Sequence, residues 1–422
     1  MTTAEHSKAE QVLEAGQALE RADVVIGGGG LAGLTLALAL KQAVGGHLKI
    51  IVCDPAFAKP PRPDDRAFAL AAGGRRMFQV LGVWDRIAPQ AEPIRDMVIT
   101  DSRLNDPVRP VFLTFAGEVD DGEPFASMAP QGALLQALRD AAAAQGVTMR
   151  AAAVTHCETM TARIHVTLSD GAVIHAALLC ACDGGASPIR RMAKIDVVRW
   201  SYEQSGLVTT IAHERPHHGR AEEHFLPSGP FAILPLPGDQ SSIVWSERNE
   251  NVEGLLSLDD EDLLAEIEKR FGLKLGAISM RMRPKAWPLN FQMARHFIAP
   301  RIALVGDAAH VIHPIAGQGL NLGLEDIAVL AELITEQATL GLDLGAHDML
   351  ETYERARRTP TVAMAVVTDG LNRLFSNDHP ALRAMRDFGL GLVDRMPSLK
   401  QRFIREAAAS AHSPRLLRGL PL

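Results

Sequence analysis

The sequence predicts an α/β protein with a parallel, Rossmann-like sheet flanked by helices, a second domain built on a β-sheet, and a set of C-terminal helices. Three observations lead to this prediction. An apolar strand near residue 25 runs into a glycine-rich turn and a helix. Two more apolar strands, near residues 180 and 304, end in polar turns that contain glycine. Between them lie short strand-like runs separated by Gly and Pro, which is typical of an antiparallel sheet.

The composition is that of a globular protein of more than one domain, with 422 residues, 47% hydrophobic and 22% charged. The net charge of −7 and an aromatic content of 5% argue against a nucleic-acid partner, which needs a basic surface. Cys53, Cys157, Cys180 and Cys182 lack zinc-type spacing, so no metal site is expected. Because neither a signal-peptide pattern nor a spanning apolar run is present, we expect a cytoplasmic protein.

The first motif is a dinucleotide-binding fingerprint, G-x-G-x-x-G. Gly28, Gly30 and Gly33 follow a strand at residues 23–26, and Asp54 ends the next strand about twenty residues later. The glycines of such a turn allow a tight bend, a close approach of backbone to a pyrophosphate, and close packing of helix on strand. The helix that follows offers its N-terminal N–H groups to the phosphates.

The second motif, D-G-x-x-S-x-x-R, follows an apolar run at residues 177–182. Asp183 can hold a cofactor hydroxyl or brace the loop. Ser187 can cap the next helix. Arg190 can close an ion pair or face a phosphate.

The third motif, GDAAHVIHPIAGQGLNLGLED at residues 306–326, follows a strand and precedes a helix. Asp307 can accept hydrogen bonds from a sugar-alcohol chain, and the residue before Pro314 is forced into an extended turn. The bare backbone around Gly317 and Gly319 lets a flat ring lie close to the start of the helix. A reduced flavin carries negative charge that a helix N-terminus stabilises. We therefore interpret this stretch as the seat of the isoalloxazine ring of FAD.

In this order and spacing, the three motifs resemble those of the FAD-dependent aromatic hydroxylases, the single-component flavoprotein monooxygenases. Further stretches are similar to the ubiquinone-biosynthesis hydroxylases within that group, and the resemblance runs from Asp23 onward. These stretches are DRAFAL (65–70), LGVW (81–84), GPFAILPLP (229–237), YERARR (353–358) and DGLNRLF (369–375). The resemblance implies the aromatic-hydroxylase type of fold.

The resemblance also implies a role for each matching position. The cofactor-binding residues would be Gly28, Gly30 and Gly33 at the pyrophosphate, Asp54 at the adenosine ribose, Arg66 near the flavin, Gln131 at the phosphate or ribityl region, Asp183 near the cofactor and the nicotinamide groove, Gly306 and Asp307 at the ribityl chain, Pro314 at the reactive face, and Gly317, Gln318, Gly319, Leu320 and Asn321 as backbone donors to the ring. His313 and Pro314 are the catalytic candidates, and His310 is expected to form a structural hydrogen bond.

The reaction implied by the resemblance is hydroxylation of a polyprenylated phenol in ubiquinone biosynthesis. It would use FAD, NADPH or NADH and O2, and proceed through a C4a-hydroperoxyflavin. Two alternatives stay open at this point: a hydroxylase of a small soluble phenol, and a catalytically silent FAD-binding scaffold. A long apolar tunnel would favour the prenylated substrate, whereas an arginine or polar clamp would favour the small phenol.

The motifs also predict the domain organisation. The FAD-binding domain is discontinuous, at residues 20–90, 127–195 and 293–355, and residues 91–126 and 196–292 form the substrate domain. Strand-like runs at 206–212, 222–226, 231–236 and 241–246 belong to the latter. The candidates for its apolar substrate pocket are Phe225, Ile233, Leu234, Trp245 and Phe291.

A C-terminal helical segment, residues 356–422, is basic, with eleven Lys and Arg against five Asp and Glu. Its apolar positions follow a helical pattern and include Leu390, Leu392, Val393, Met396, Leu399 and Phe403. A basic amphipathic surface can lie on anionic lipid or dock a partner. Peripheral contact with the inner face of the cytoplasmic membrane, a lipid carrier or a ubiquinone-biosynthesis complex would deliver a prenylated substrate. Packed helices with a solvated basic face are the alternative.

Overall fold

The computed structural model describes residues 20–60, 66–101, 104, 111–116, 119, 122–376 and 412–422. In chain order its strands are β1 (Glu20–Arg21), β2 (Val24–Gly27), β3 (Ile50–Cys53), β4 (Ala67–Ala71), β5 (Glu92–Ile94), β6 (Asp96–Asp101), β7 (Val111–Ala116), β8 (Ala126–Pro130), β9 (Thr148–Arg150), β10 (Val154–Thr159), β11 (Ile164–Leu168), β12 (Val173–Ala176), β13 (Leu178–Ala181), β14 (Val197–His213), β15 (Arg220–Leu226), β16 (Gly229–Leu236), β17 (Gln240–Arg248), β18 (Ile278–Met280), β19 (Lys285–Ala294), β20 (Ile298–Ala299), β21 (Ile302–Leu304) and β22 (His310–Val311).

The α-helices are α1 (Leu31–Val44), α2 (Ala72–Val80), α3 (Trp84–Ile87), α4 (Gln131–Ala144), α5 (Pro188–Met192), α6 (Asn249–Ser257), α7 (Asp260–Phe271), α8 (Gln318–Thr339) and α9 (His347–Phe375). Short 3-10 turns occur at Pro55–Ala58, Ala88–Gln90, Gly306–Ala308, Ile315–Gly317 and Leu416–Arg418. The Rossmann-like α/β fold class is confirmed.

A six-stranded sheet in the order β20-β21-β13-β2-β3-β9 carries the three motifs. It is parallel except at β20, and β2, β3 and β13 are buried along their whole length. Such continuous apolar strands are typical of a parallel sheet covered on both faces. Because β2, β13 and β21 are adjacent and parallel, their carboxyl ends bring the three motif turns to one edge of the sheet.

A second, larger sheet runs in the order β22-β19-β14-β17-β16-β15-β6-β7, with β18 on β14. Strand β6, from the first expected insert, pairs in parallel with β15 from the second. Ile267 and Phe271 of α7 pack in a core on one face of this sheet. Smaller sheets, β1-β12-β11-β10 and β4-β8-β5, complete the architecture.

The expected boundary between residues 355 and 356 falls inside α9. The helix continues through Pro360 to Phe375. The Tyr353 hydroxyl donates to the carbonyl oxygen of Leu304 at 2.7 Å, which ties α9 to the parallel sheet. The division into domains stays a prediction.

The apolar positions expected in the C-terminal segment, at 390, 392, 393, 396, 399 and 403, lie outside the described residues. Along the part of the chain that the structure describes, no helix combines the length and apolar character needed to cross a bilayer.

Candidate active site

The glycines of the first motif divide into two that the fold requires and one that opens space. Gly28 has φ +107°, and a Cβ there would lie 2.2 Å from the carbonyl oxygen of Cys182. A Cβ on Gly33 would lie 1.9 Å from the carbonyl oxygen of Gly28, so only glycine lets α1 pack this closely on β2. A Cβ on Gly30 would meet nothing within 4 Å. Gly28 therefore suits the bend, Gly33 the packing of the helix, and Gly30 the approach of a ligand.

Asp54 is fixed beside this turn at the end of β3. One carboxylate oxygen accepts from the Gly29 amide at 2.7 Å, and the other accepts from the Ala56 amide at 2.7 Å. An ionised carboxylate can accept further hydrogen bonds at each oxygen. The half-buried side chain is therefore held where a ribose hydroxyl can reach it.

The second motif braces its own loop and links it to the third. Asp183 accepts from the Ser187 hydroxyl at 2.5 Å and from the Ile189 amide at 3.0 Å, and burial raises the pKa of its carboxyl. Ser187 caps α5 by accepting from the Arg190 amide at 2.9 Å, as expected. The buried Arg190 guanidinium donates to the carbonyl oxygens of Ala308 at 2.6 Å and Gly185 at 2.9 Å. It thus binds backbone, in place of the expected ion pair or phosphate contact.

Gly306 and Asp307 form the turn after β21. Gly306 has φ +61°, a conformation that favours glycine. The Asp307 side chain is exposed, and among the described residues its carboxylate has no hydrogen-bond partner. The protein around it nevertheless raises its pKa by desolvation, an effect that His310 and Arg66 oppose. An exposed carboxylate of this kind can accept a hydrogen bond from a bound hydroxyl.

Asp326 anchors the turn at Gly306–Ala308 through hydrogen bonds. The sequence motifs did not single out this residue. Its fully buried carboxylate accepts from the Gly306 amide at 3.0 Å, from His310 Nε2 at 2.7 Å and from Arg357 Nε at 2.8 Å. Burial alone would raise the pKa of Asp326, but His310 and Arg357 outweigh it and hold the pKa below its usual value. The structural role expected of His310 is confirmed. The only signal in the sequence was the acidic pair that closes the motif.

The N-terminus of α8 is positioned by Gly317 and Asn321. Gly317 has φ +63°, and its amide donates to the carbonyl oxygen of Pro314 at 2.9 Å. The Asn321 side chain accepts from the Ala71 amide and donates to the carbonyl oxygen of Ala69, both at 2.9 Å, which fastens α8 to β4. As the fourth residue of α8, Asn321 also has a helical acceptor for its own amide.

Backbone donation to a ring therefore stays a prediction for the first turn of α8, namely Gln318, Gly319 and Leu320. The first amides of an α-helix have no intrahelical acceptor. A Cβ on Gly319 would meet nothing within 4 Å, so this side of the turn is open.

His313 and Pro314 border the same cleft. His313 is fully buried, and its ring nitrogens have no hydrogen-bond partner among the described residues. Burial lowers its pKa to about 4, so the imidazole is neutral at pH 7. The ring meets Tyr202 edge-on, with 4.9 Å between centroids. Pro314 is exposed toward the cleft.

Arg66 and Gln131 flank the cleft from the β4–β8 side. The Arg66 guanidinium lies 4.9 Å from the centroid of the Trp287 ring. Gln131 begins α4, and its buried Oε1 has no partner among the described residues. Both side chains can therefore contribute polar contacts to a ligand.

A cavity of about 1890 Å³ extends from this cleft across one face of the larger sheet and along a groove lined by α8, α9 and residues 412–422. It begins at His313, Pro314 and Gly317 and continues along apolar residues of β6, β15, β16 and β17. The lining residues of the sheet include Met97, Ile99, Ala221, Ala232 and Val244.

Only part of the expected substrate pocket lines this cavity. Phe225 and Leu234 do so. Ile233 and Trp245 instead face the opposite side of the sheet, in the core with α7, because alternate residues of a strand point to opposite faces. Phe291 stacks on Trp200, with 3.8 Å between ring centroids.

Comparison with known proteins decides the family. A family model described as "FAD binding domain" matches residues 21–369. The chain is 40% identical over 413 residues to ubiquinone hydroxylase UbiL of Rhodospirillum rubrum, covering 96% of this chain and 95% of that one. The chain belongs to this family of FAD-dependent hydroxylases. It is also 32% identical over 395 residues to 3-demethoxyubiquinol 3-hydroxylase of Escherichia coli, covering 91% and 98%.

The fold agrees with this assignment. The crystal structure of p-nitrophenol 4-monooxygenase PnpA from Pseudomonas putida matches with a TM-score of 0.73 and 18% identity, over 92% of this chain and 98% of that one. Members of the hydroxylase family bind FAD, and the residues present here fit it. Open space at Gly30 and Gly319 and the unpartnered oxygens of Asp307 and Gln131 are the features that a bound dinucleotide would use.

Proposed function

We propose that this flavin monooxygenase hydroxylates the aromatic ring of a polyprenylated phenol in ubiquinone biosynthesis, with NADPH or NADH as electron donor and O2 as oxidant. The observation that carries the proposal is the cavity of about 1890 Å³. Pockets for drug-sized ligands measure roughly 300–1,000 Å³. The volume is enough for a flavin ring at the α8 end and for a phenol with an apolar chain along the sheet.

FAD, when bound, supplies the electron transfer and the oxygen activation. The chain's own residues place and shield it. The first turn of α8 presents amides and a positive helix end to the negative charge of a reduced ring. His313, which is neutral at pH 7, adds no charge to this end of the cleft. The apolar sheet face of the cavity disfavours water, which would otherwise divert the activated oxygen to hydrogen peroxide.

The prenylated substrate is favoured over a small soluble phenol by the character of the sheet face. The residues of β6, β15 and β16 that line the cavity are apolar except for Glu223, and none of them is an arginine. The named relatives, a ubiquinone hydroxylase and a demethoxyubiquinol hydroxylase, support the same substrate class.

Delivery of such a substrate requires a lipid source. We propose peripheral contact with the inner face of the cytoplasmic membrane, through a basic segment that carries eleven Lys and Arg against five Asp and Glu after Arg355. The fraction of protein that sediments with anionic liposomes should fall when Lys and Arg residues of this segment are replaced by neutral residues. Unchanged sedimentation would leave a lipid carrier or a biosynthetic complex as the source.

The experiment that tests the function is a quinone profile, by mass spectrometry, of the host strain with this gene deleted. We expect accumulation of a prenylated phenol that lacks a ring oxygen, and its disappearance when the wild-type gene is restored. Restoration with an Asp307→Ala gene should fail. A normal ubiquinone pool in a strain without other ring hydroxylases would contradict the proposal.

A further inference from the structure

One acidic side chain interrupts the apolar face of the sheet that lines the cavity. Glu223, in the middle of β15, is 4% exposed and borders the cavity together with Ala221 and Phe225, two residues before and after it. Its sequence neighbours point to the other face. There, Glu222 contacts Lys274 at 2.9 Å and His224 contacts Thr100 at 2.7 Å. The alternation of β15 therefore aims the Glu223 carboxyl into the cavity.

No described residue accounts for this carboxyl. Its register partners are Ala232 on β16 and Ile99 on β6, both apolar. Among the described residues it forms no hydrogen bond or ion pair. Burial alone raises its pKa to about 7. An unpaired buried carboxyl is costly to the fold, and such groups concentrate at functional sites.

The position of Glu223 relative to the turn at Ile315–Gly317 is also fixed. Phe225, the next inward-facing residue, packs with Ile315 and Phe375 in one apolar cluster. Ile315 directly follows Pro314. Residues two apart on a strand are separated by about 7 Å. The Glu223 carboxyl therefore lies about 7 Å along β15 from Phe225, the residue that contacts Ile315. From this position it can reach a phenol ring that is seated beside Pro314.

We propose that Glu223 binds the ring hydroxyl of the phenol substrate and thereby sets which ring carbon faces the flavin. The inference rests on the proposed function. The carboxylate accepts a hydrogen bond from the O–H group, and the apolar surroundings hold the rest of the ring. Hydrogen bonds to a charged group in a protein are stronger than neutral ones, so a substantial share of phenol affinity depends on this contact.

The test compares phenol binding in flavin-loaded, full-length protein. The variants are Glu223→Leu, Glu223→Gln, and Glu222→Gln as the matched control on the opposite face. The ligands are a short-chain prenylated phenol and its methyl ether, which lacks the donor hydrogen. Dissociation constants are read from the perturbation of flavin absorbance. FAD content and melting temperature are measured alongside, so that only folded, loaded protein is compared.

We expect wild type and Glu222→Gln to bind the phenol at least about tenfold more tightly than the ether. Glu223→Leu should lose this preference, and Glu223→Gln should keep part of it through its amide oxygen. The Leu variant should also release more hydrogen peroxide per NADPH oxidised. An equal phenol-to-ether ratio in wild type and Glu223→Leu would overturn the inference. Absence of any hydroxylated product from wild type would instead refute the proposed function, while the binding ratio would still judge Glu223.

Discussion

Replacing Asp326 with Asn removes one charge from the cluster beneath the third motif and leaves its shape unchanged. The carboxylate is fully buried and accepts from the Gly306 amide, from His310 and from Arg357. Removing one partner of a buried ion pair costs up to about 3–5 kcal/mol. Arg357 would keep one carboxylate partner, because its guanidinium also contacts Glu325 at 2.7 Å. The Asn amide also turns a donor toward one of these donors.

We therefore expect Asp326→Asn to lower the melting temperature by a few degrees, up to about 6 °C, because a protein of 422 residues unfolds with an entropy of roughly 0.9 kcal/mol/K. Loss of FAD should accompany it, because the Gly306–Ala308 turn loses its anchor. Differential scanning calorimetry and flavin fluorescence provide the assay. The matched control is Glu351→Gln on α9, whose half-exposed carboxylate contacts His347 at 3.3 Å and Arg355 at 3.9 Å. Exposed pairs of this kind contribute up to about 1 kcal/mol.

The pH dependence of stability provides a second test of the Asp326→Asn variant. The pKa of Asp326 is held below its ordinary value of 3.8, so its contribution to stability is complete above that pH and is lost as the pH falls through the folded pKa. The difference between wild type and Asp326→Asn should be constant from about pH 5 to 8 and shrink below about pH 4. A variant with wild-type melting temperature and full FAD at pH 7 would refute the reasoning.

Three further outcomes are expected. Gly33→Ala should fail to fold stably, whereas Gly30→Ala should fold and bind FAD more weakly. Gly254→Ala is the control, because a Cβ there also meets nothing within 4 Å. Equal melting temperatures for Gly33→Ala and Gly30→Ala would contradict the packing role given to Gly33. Asp307→Ala should purify largely free of FAD, and its melting temperature should equal that of the wild-type apoprotein. Full FAD occupancy with normal turnover would exclude the proposed binding of the ribityl chain by Asp307. Because burial raises the pKa of Glu223 to about 7, the folded state holds its proton longer than the unfolded state, so wild-type stability should fall between about pH 4.5 and 7. Glu223→Gln should flatten this slope in urea titrations, and an unchanged slope would count against an uncompensated carboxyl.

Much of the FAD-binding half could be predicted from sequence because its signals are local. An apolar run followed by glycines and a helix specifies a strand, a turn and a phosphate-binding helix end without knowledge of distant contacts. Parallel pairing then places the ends of β2, β13 and β21 side by side. The convergence of the three motifs follows from these two facts.

The features that sequence reasoning missed depend on contacts between distant segments. Asp326 meets Gly306, twenty residues before it, and Arg357, thirty-one residues after it. No local pattern specifies such pairings. Similarly, Ile233 and Leu234 are adjacent and equally apolar, and only the packing of α7 on one face decides which of them lines the cavity.

Helix α9 contains an internal proline, Pro360. A proline inside a helix removes a backbone hydrogen bond and usually ends or kinks the helix. Here α9 runs through Pro360 because its packed face continues on both sides, with Arg357 and Thr361 buried. Residues of α9 on both sides of the proline, such as Ala356 and Met364, line the cavity.

The most direct test of the central claim is the fate of molecular oxygen. Purified, FAD-loaded protein is supplied with NADPH, a short-chain prenylated phenol and ¹⁸O2, and the product is analysed by mass spectrometry. We expect a product that carries one ¹⁸O atom on the ring, formed in proportion to the NADPH oxidised. NADPH oxidation that yields only hydrogen peroxide, or a product whose new oxygen comes from water, would contradict it.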